Sequence, residues 1–179
     1  MTGSIVRDGS LQLLLDLVDE AFDHKAWHGT TLFGSIRGLT ADRAAWRPAP
    51  RRHNVWEIVV HAAYWKYAIR RRLTGEKRGS FALTGSNWFT RPSTGTAMSN
   101  RAPSAGSRPA AARAWASEVR LLADEHRRLR QAITALPPDA LVQPSQKGPT
   151  AAFLIRGIAA HDLYHAGQIQ LLKRLQRSA

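Results

Sequence analysis

The chain has 179 residues, of which 44% are hydrophobic, and its 26 Lys and Arg against 13 Asp and Glu give a formal net charge of +13. This length and composition allow one full core, so we expect a single domain over residues 1–179 and exclude disorder. The chain has no cysteine, which excludes disulfides and thiolate metal sites. It has neither a signal-peptide pattern nor the roughly 18 apolar residues of a membrane span, so we expect a cytoplasmic protein with no membrane contact.

The N-terminal third predicts one helix after a loose leader. Residues 1–9 show no periodicity, whereas apolar residues recur at helical spacing over 10–37. This helix carries His24 and His28, and both lie off its apolar stripe. We expect His24 to be exposed, and His28 to be a boundary residue and a candidate for lining a pocket. The stretch 38–53 then breaks the helical pattern.

A second helix is predicted to begin after Asn54, which is a good N-cap residue. Glu57 stands three residues later, the spacing of a capping box, and one turn before His61, so it either caps the helix or supports a ligand there. The apolar stripe places His61 in the core seam among large neighbours. The helix is expected to end near Gly75.

The stretch 75–108 reads as a long crossover, rich in Gly, Ser, Thr and Pro and interrupted by Phe81, Trp88 and Phe89. Connections this long are uncommon within a compact domain, and the aromatic residues indicate that part of it packs over something. Two interpretations remain open. The segment is either a lid over a site or a passive connection.

A third helix follows Pro109 and carries an apolar stripe in which His126 is the one polar member. This side chain is either a core histidine held by hydrogen bonds or a group that faces a substrate. A fourth helix is predicted from about Thr150 to Arg174. Within it Gly157 and Gly167 predict the close approach of a neighbouring helix or group, since glycine is otherwise unfavourable there.

The fourth helix also carries His161 and His165, four residues apart on one face, where one cation can bridge both rings. The stripe that contains them reads Leu154, Ile158, His161, His165, Gln168, Leu172 and Leu175. A third ligand must come from upstream, because no His or Glu follows residue 165. His61 lies about 10 Å along its helix from the cap, and His165 lies about 14 Å from the end of its own, so the three histidines can share a level. Gln168 is a candidate for orienting a ligand.

Four amphipathic helices without a convincing strand predict an all-α four-helix bundle. The run from Trp56 through His61 to Gly75, with His161-x-x-x-His165-x-Gly167-Gln168-Ile169, resembles the DinB/YfiT-like family over nearly the whole chain. The resemblance implies an up-down-down-up bundle with a long crossover between helices two and three. It also implies a homodimer and a divalent metal, zinc or nickel, held by His61, His161 and His165.

The resemblance further implies an enzyme, since some relatives are thiol S-transferases that use bacillithiol, mycothiol or glutathione. Three neutral imidazoles would leave a cation with uncompensated charge and an open position, so that a thiol or water bound there is activated. We therefore predict a metal-dependent enzyme of a small-molecule substrate, either a thiol S-transferase or a hydrolase. No general base is obvious, although Glu57 and His126 lie nearest to the seam.

The alternative is a non-enzymatic basic helical module that binds nucleic acid or a protein partner. It depends on the charge, because residues 63–108 carry nine basic residues and the single acid Glu76. Such an excess either attracts an anion or forms an ordinary solvated surface. No helix-turn-helix, zinc-finger or RNP-like motif accompanies it.

Overall fold

The computed structural model describes residues 2–94, 108–137, 139–143 and 148–178, with only the backbone for residues 2–8. These residues form six helices and no strand, which confirms the all-α prediction. The helices are α1 (Thr2–Phe22), α2 (Leu32–Ile36), α3 (Ala41–Ala45), α4 (Val55–Thr74), α5 (Arg108–Thr134) and α6 (Ala151–Arg177). Among them α4 is central, since it packs against α3, α5 and α6. None of the described helices is both long and apolar enough to cross a membrane.

The first predicted helix is wrong at both ends. Residues 2–9, expected as a loose leader, already belong to α1, because extending an existing helix costs far less than nucleating one and no proline intervenes. The same helix ends at Phe22 instead of near Arg37. The chain turns through Gly29, which has a φ of 100°, and Thr31 then caps α2 by accepting a hydrogen bond from the Gly34 N–H at 3.0 Å.

The stretch 38–53, expected to be irregular, contains the short helix α3. Thr40 provides its N-cap, and its hydroxyl accepts a hydrogen bond from the Arg43 N–H at 3.3 Å. Ala44 and Ala45 of α3 are buried in one apolar cluster with the N-terminal half of α4. The helix is therefore maintained by packing that a five-residue sequence pattern does not reveal.

The boundaries of α4 agree with the prediction. The Asn54 side chain accepts a hydrogen bond from the Glu57 N–H at 2.9 Å, and the Glu57 carboxylate accepts one from the Asn54 N–H at 3.3 Å, which completes the capping box. At the other end Gly75 adopts a φ of 73°, the left-handed conformation that commonly ends a helix. His61 therefore lies near the middle of a helix with both ends fixed.

Helices α5 and α6 also follow the predicted pattern closely. Trp115, Leu122, His126, Leu129 and Ile133 of α5 are buried as expected. The two glycines of α6 are different, since an added Cβ at either position would meet no described atom within 4 Å beyond its chain neighbours and the adjacent backbone of the same helix. The expected close approach at Gly157 and Gly167 is wrong, because both residues lie on the exposed face of α6.

The last described stretch of the crossover packs on the start of α4. We call residues 87–94 the strap. The Asn54 side-chain amide donates to the Pro92 carbonyl at 2.9 Å, and the Arg91 N–H donates to the Glu57 carboxylate at 3.3 Å. Phe89 is buried in the apolar cluster beneath. The capping residues of α4 thus also hold the strap in place; residues 95–107 of the crossover lie outside the described residues.

Candidate metal centre

Three histidines from two helices meet at one point. The Nε2 atom of His161 lies 3.1 Å from Nε2 of His61 and 3.1 Å from Nε2 of His165. Each histidine offers one nitrogen, and the three nitrogens all lie within 4.8 Å of one another. Two nitrogens bound to one tetrahedral zinc ion are separated by about 3.3 Å. The ring atoms are therefore spaced as ligands of a single cation would be.

The hydrogen bonds behind two of the rings fix which nitrogen carries the proton. His61 donates from Nδ1 to the Asn87 carbonyl at 2.9 Å, and His165 donates from Nδ1 to Oε1 of Gln168 at 2.7 Å. Gln168 is held in turn, because its amide donates to the Tyr164 hydroxyl at 2.9 Å. A neutral imidazole has one N–H. Both rings therefore present an Nε2 lone pair to the centre.

This arrangement cannot be satisfied as a hydrogen-bonded cluster. Nε2 of His161 has two lone-pair neighbours and can donate at most one proton, so one close nitrogen contact would lack a hydrogen. Nδ1 of His161 is also buried without a hydrogen-bond partner among the described residues. A cation that accepts all three lone pairs removes the conflict, and the donor set therefore fits a metal ion.

Burial keeps the three rings neutral. Loss of solvation lowers the pKa of His61 to about 4, against the opposing effect of its bond to Asn87. Burial, followed by the neighbouring His165, lowers the pKa of His161 to about 3. Burial also lowers the pKa of His165, although its bond to Gln168 acts in the opposite direction. All three rings are therefore uncharged at neutral pH, as metal ligation requires.

The strap forms one wall of the centre. The sequence pattern did not assign any residue of this segment to the site. The Trp88 ring stacks between His61 and His53, at centroid distances of 3.8 Å and 3.6 Å. Asn87 has a φ of 61°, and its side chain accepts a hydrogen bond from the Trp65 indole at 2.9 Å. The aromatic residues of the crossover were the one signal that this segment packs over something.

Two of the other predicted candidates lie away from the centre. His28 is exposed in the turn between α1 and α2, so it is not the boundary residue that the sequence predicted, and its role in lining a pocket stays a prediction. His126 is buried and stacks on Phe22 at 3.7 Å. Its Nε2 lies 3.6 Å from the Asp19 carboxylate, and its Nδ1 has no partner among the described residues. It is a core side chain held by stacking rather than by hydrogen bonds.

Glu57 serves as a cap and not as a support for His61. Its carboxylate receives two hydrogen bonds from the Arg47 guanidinium, at 2.6 Å and 2.8 Å, and one from His53 at 3.1 Å. Although burial raises its pKa, these hydrogen bonds hold the pKa of Glu57 below the usual value. The capping interpretation of this residue is therefore the correct one.

Glu57→Gln is expected to lower the free energy of unfolding by roughly 2 kcal/mol, because the charged bonds from Arg47 are lost while the cap geometry remains possible. Chemical unfolding of the metal-free protein measures this change. Metal content, measured in the variant before the metal is removed, should equal that of the wild type. A variant with native stability that no longer binds metal would instead assign Glu57 to the metal centre.

The family comparison agrees with this geometry. The model of the DinB superfamily matches residues 8–169, a stretch that contains all three histidines. Neither the curated proteins nor the solved structures include a match. The family match covers most of the chain, from α1 to the middle of α6. The chain therefore belongs to the DinB superfamily.

Proposed function

We propose that the protein binds one divalent cation, zinc or nickel, through Nε2 of His61, His161 and His165, and that it is a metal-dependent enzyme of a small-molecule substrate. The observation that supports this proposal most directly is the convergence of the three Nε2 atoms. Only one of the two close nitrogen–nitrogen contacts can contain a hydrogen, so hydrogen bonds alone do not explain the cluster. No carboxylate of the described residues joins the group. The charge of a divalent cation would thus stay uncompensated, which suits an anionic nucleophile.

The reaction we propose is the transfer of a low-molecular-weight thiol to an electrophilic small molecule. A bound divalent cation lowers the pKa of a thiol or water, and so supplies thiolate or hydroxide at neutral pH. The thiol must come from a cosubstrate, because the chain has no cysteine. The S–H bond of the thiol breaks and its proton passes to solvent. The sulfur then forms the new bond to the electrophilic carbon, while the bond from that carbon to the leaving group breaks and the leaving group departs with the electron pair. Hydrolysis, with water as the nucleophile, is the variant of the same proposal.

The protein residues hold and shield this centre. The Asn87 carbonyl and the Gln168 amide fix the orientation of the rings of His61 and His165. Trp88 lies flat on His61 and excludes water from that side. Rigid rings with a fixed proton position require little reorganisation when a ligand binds.

The alternative, a basic binding module, has weaker support because part of the basic excess is used inside the fold. Lys66 pairs with Asp162, Arg70 with Glu76 and Glu125, and Arg91 with Glu118. These cations belong to the stretch in which the positive excess is greatest. They are not free to contact phosphate groups.

We also infer that the four long helices are arranged up-down-down-up. Trp56 of α4 contacts Glu118 of α5, and Arg70 of α4 contacts Glu125 of α5. The residue numbers of both helices increase in the same direction along these contacts, which supports a parallel arrangement of α4 and α5. The contacts of His61 with His165 and of Lys66 with Asp162 support an antiparallel arrangement of α4 and α6. The contacts of Asp19 with Arg130 and of Phe22 with His126 support the same arrangement for α1 and α5. An experimental structure with α4 and α5 antiparallel would overturn this inference.

The test of the function is elemental analysis of untagged protein, beside His161→Ala and the matched control His28→Ala. We expect about one zinc or nickel ion per chain in the wild type and in His28→Ala, since His28 is exposed, and none in His161→Ala. Absence of metal from the wild type, even after reconstitution with either ion, would contradict the proposal. Thiol transfer is then tested with thiol cosubstrates and electrophiles on the loaded protein.

A further inference from the structure

A fully buried ion pair lies next to the metal centre. The Lys66 ammonium donates a hydrogen bond to Oδ2 of Asp162, and the two residues are 0% and 1% exposed. Lys66 stands on α4, five residues after His61, and Asp162 directly follows His161 on α6. The pair therefore joins the two helices that supply the three histidines, within about two turns of each of them.

Stability alone does not account for this pair. Removing two charges from water costs about as much as their attraction returns, so an apolar pair of similar size often stabilises a core equally well or better. The pair is also incompletely satisfied, because Oδ1 of Asp162 has no partner among the described residues. The Lys66 ammonium nitrogen also lies over the Phe22 ring, 4.6 Å from the ring centroid.

What an ion pair adds is a defined position. The neighbouring α6 core residues Ile158, Ala159 and Ala166 are apolar, and such contacts are not directional. A slide of one residue along a helix moves its side chains by about 1.5 Å. Metal–nitrogen distances in functional sites vary by only about 0.2 Å. The ammonium can meet the buried carboxylate in one register of α6 against α4, and this register also sets the spacing of the Nε2 atoms.

We propose that Lys66 and Asp162 are positioning residues of the metal centre, and that their ion pair fixes the register of α6 on α4. This inference rests on the proposed function, because it takes the three histidines to be ligands. It assigns to the pair a role in metal affinity that is separate from a role in stability.

The first test is the double variant Lys66→Met/Asp162→Leu, which replaces the pair with apolar side chains of similar size. We expect the dissociation constant for Zn²⁺, measured by competition with a chromophoric chelator, to rise by roughly 10- to 100-fold. The melting temperature of the metal-free double variant should equal or exceed that of the wild type. An unchanged dissociation constant would overturn the inference.

The matched control removes another interhelical ion pair of α4 that does not involve α6. Arg70 pairs with Glu125 of α5 at 3.4 Å, so the dissociation constant of Arg70→Met/Glu125→Leu should stay within about twofold of the wild type. An equal loss of affinity in the control would show that any disturbance of α4 weakens the centre. That result would also reject a specific role for the Lys66–Asp162 pair.

A second test needs no metal. The chain has no cysteine, so Arg72→Cys on α4 and Arg156→Cys on α6, both at exposed positions, accept two nitroxide labels. Pulsed electron paramagnetic resonance then measures their separation. We expect one narrow distance distribution in the otherwise native chain, and a distribution shifted by about 1.5 Å or broadened when the double substitution is added.

The two tests separate the inference from the proposed function. If the wild type binds no Zn²⁺, the proposed function fails, and the nitroxide distances still decide whether the pair sets the register. If the wild type binds Zn²⁺ and the double substitution changes neither affinity nor distance, only the positioning role fails. Identical distance distributions would overturn it in either case.

Discussion

Replacing Lys66 alone with methionine is expected to lower the free energy of unfolding by roughly 3–5 kcal/mol, because it leaves one charge of a buried pair uncompensated. The carboxylate of Asp162 is 1% exposed, and Lys66 is its one hydrogen-bond partner among the described residues. The single variant must therefore bury a bare carboxylate or protonate it. Chemical unfolding of the metal-free protein at pH 7 measures the loss.

The double variant with Asp162→Leu is the control for this effect. It should be at least as stable as the wild type in the metal-free form, since no buried charge remains. The recovery is expected even though its metal affinity falls. A single Lys66→Met variant as stable as the wild type would show that solvent reaches Asp162, and would contradict its burial.

The affinity for Zn²⁺ is expected to fall much less between pH 7 and pH 5 than three ordinary imidazoles would require. Three imidazoles with the ordinary pKa near 6.5 would lose roughly 10⁴-fold in affinity over this range, because each must release a proton before it binds metal. In the folded protein burial lowers the pKa of His61 to about 4 and that of His161 to about 3, and it also lowers the pKa of His165. Chelator competition at several pH values measures the slope, and a loss of the full magnitude would contradict the burial of the rings.

The stability of the metal-free protein should depend on pH with a definite sign. Burial lowers the folded-state pKa of His61, His126, His161 and His165 below the unfolded value of about 6.5, so these groups take up protons first in the unfolded chain as the pH falls. Stability therefore decreases from about pH 6.5 towards pH 4. Asp162 acts in the opposite direction, because burial raises its pKa to about 6, but it is a single group. We expect the melting temperature to fall by on the order of 10 °C between pH 7 and pH 5.

The parts of the fold that the sequence predicts well depend on short-range signals. Asn54 and Glu57 define the start of α4 by local hydrogen bonds, and Gly75 ends it by its left-handed conformation. The end of α1 at Phe22 escaped prediction because apolar residues continue at helical spacing into α2. Both helices contribute apolar side chains to the same buried cluster, so the helical spacing of apolar residues continues across the turn between them.

At the candidate metal centre the same distinction holds. His161 and His165 share a helical face within a mainly apolar stripe, so the pattern of one helix indicates a site. The contact of Asn87 with His61 joins residues 26 positions apart through an irregular segment, and no periodic pattern predicts such a contact. The burial of Asp162 also has a signal in the sequence, because it lies within a second stripe of α6 whose other members are apolar, namely Ile155, Ala159, Ala166 and Ile169.

The contact between the strap and His61 has an evolutionary consequence. The atom that holds the ring is the backbone carbonyl of Asn87, so selection at this position acts on backbone conformation rather than on a functional group. A φ of 61° is accessible to glycine and, among other residues, mainly to Asn and Asp. Among relatives that keep the three histidines, position 87 should therefore vary within these residue types.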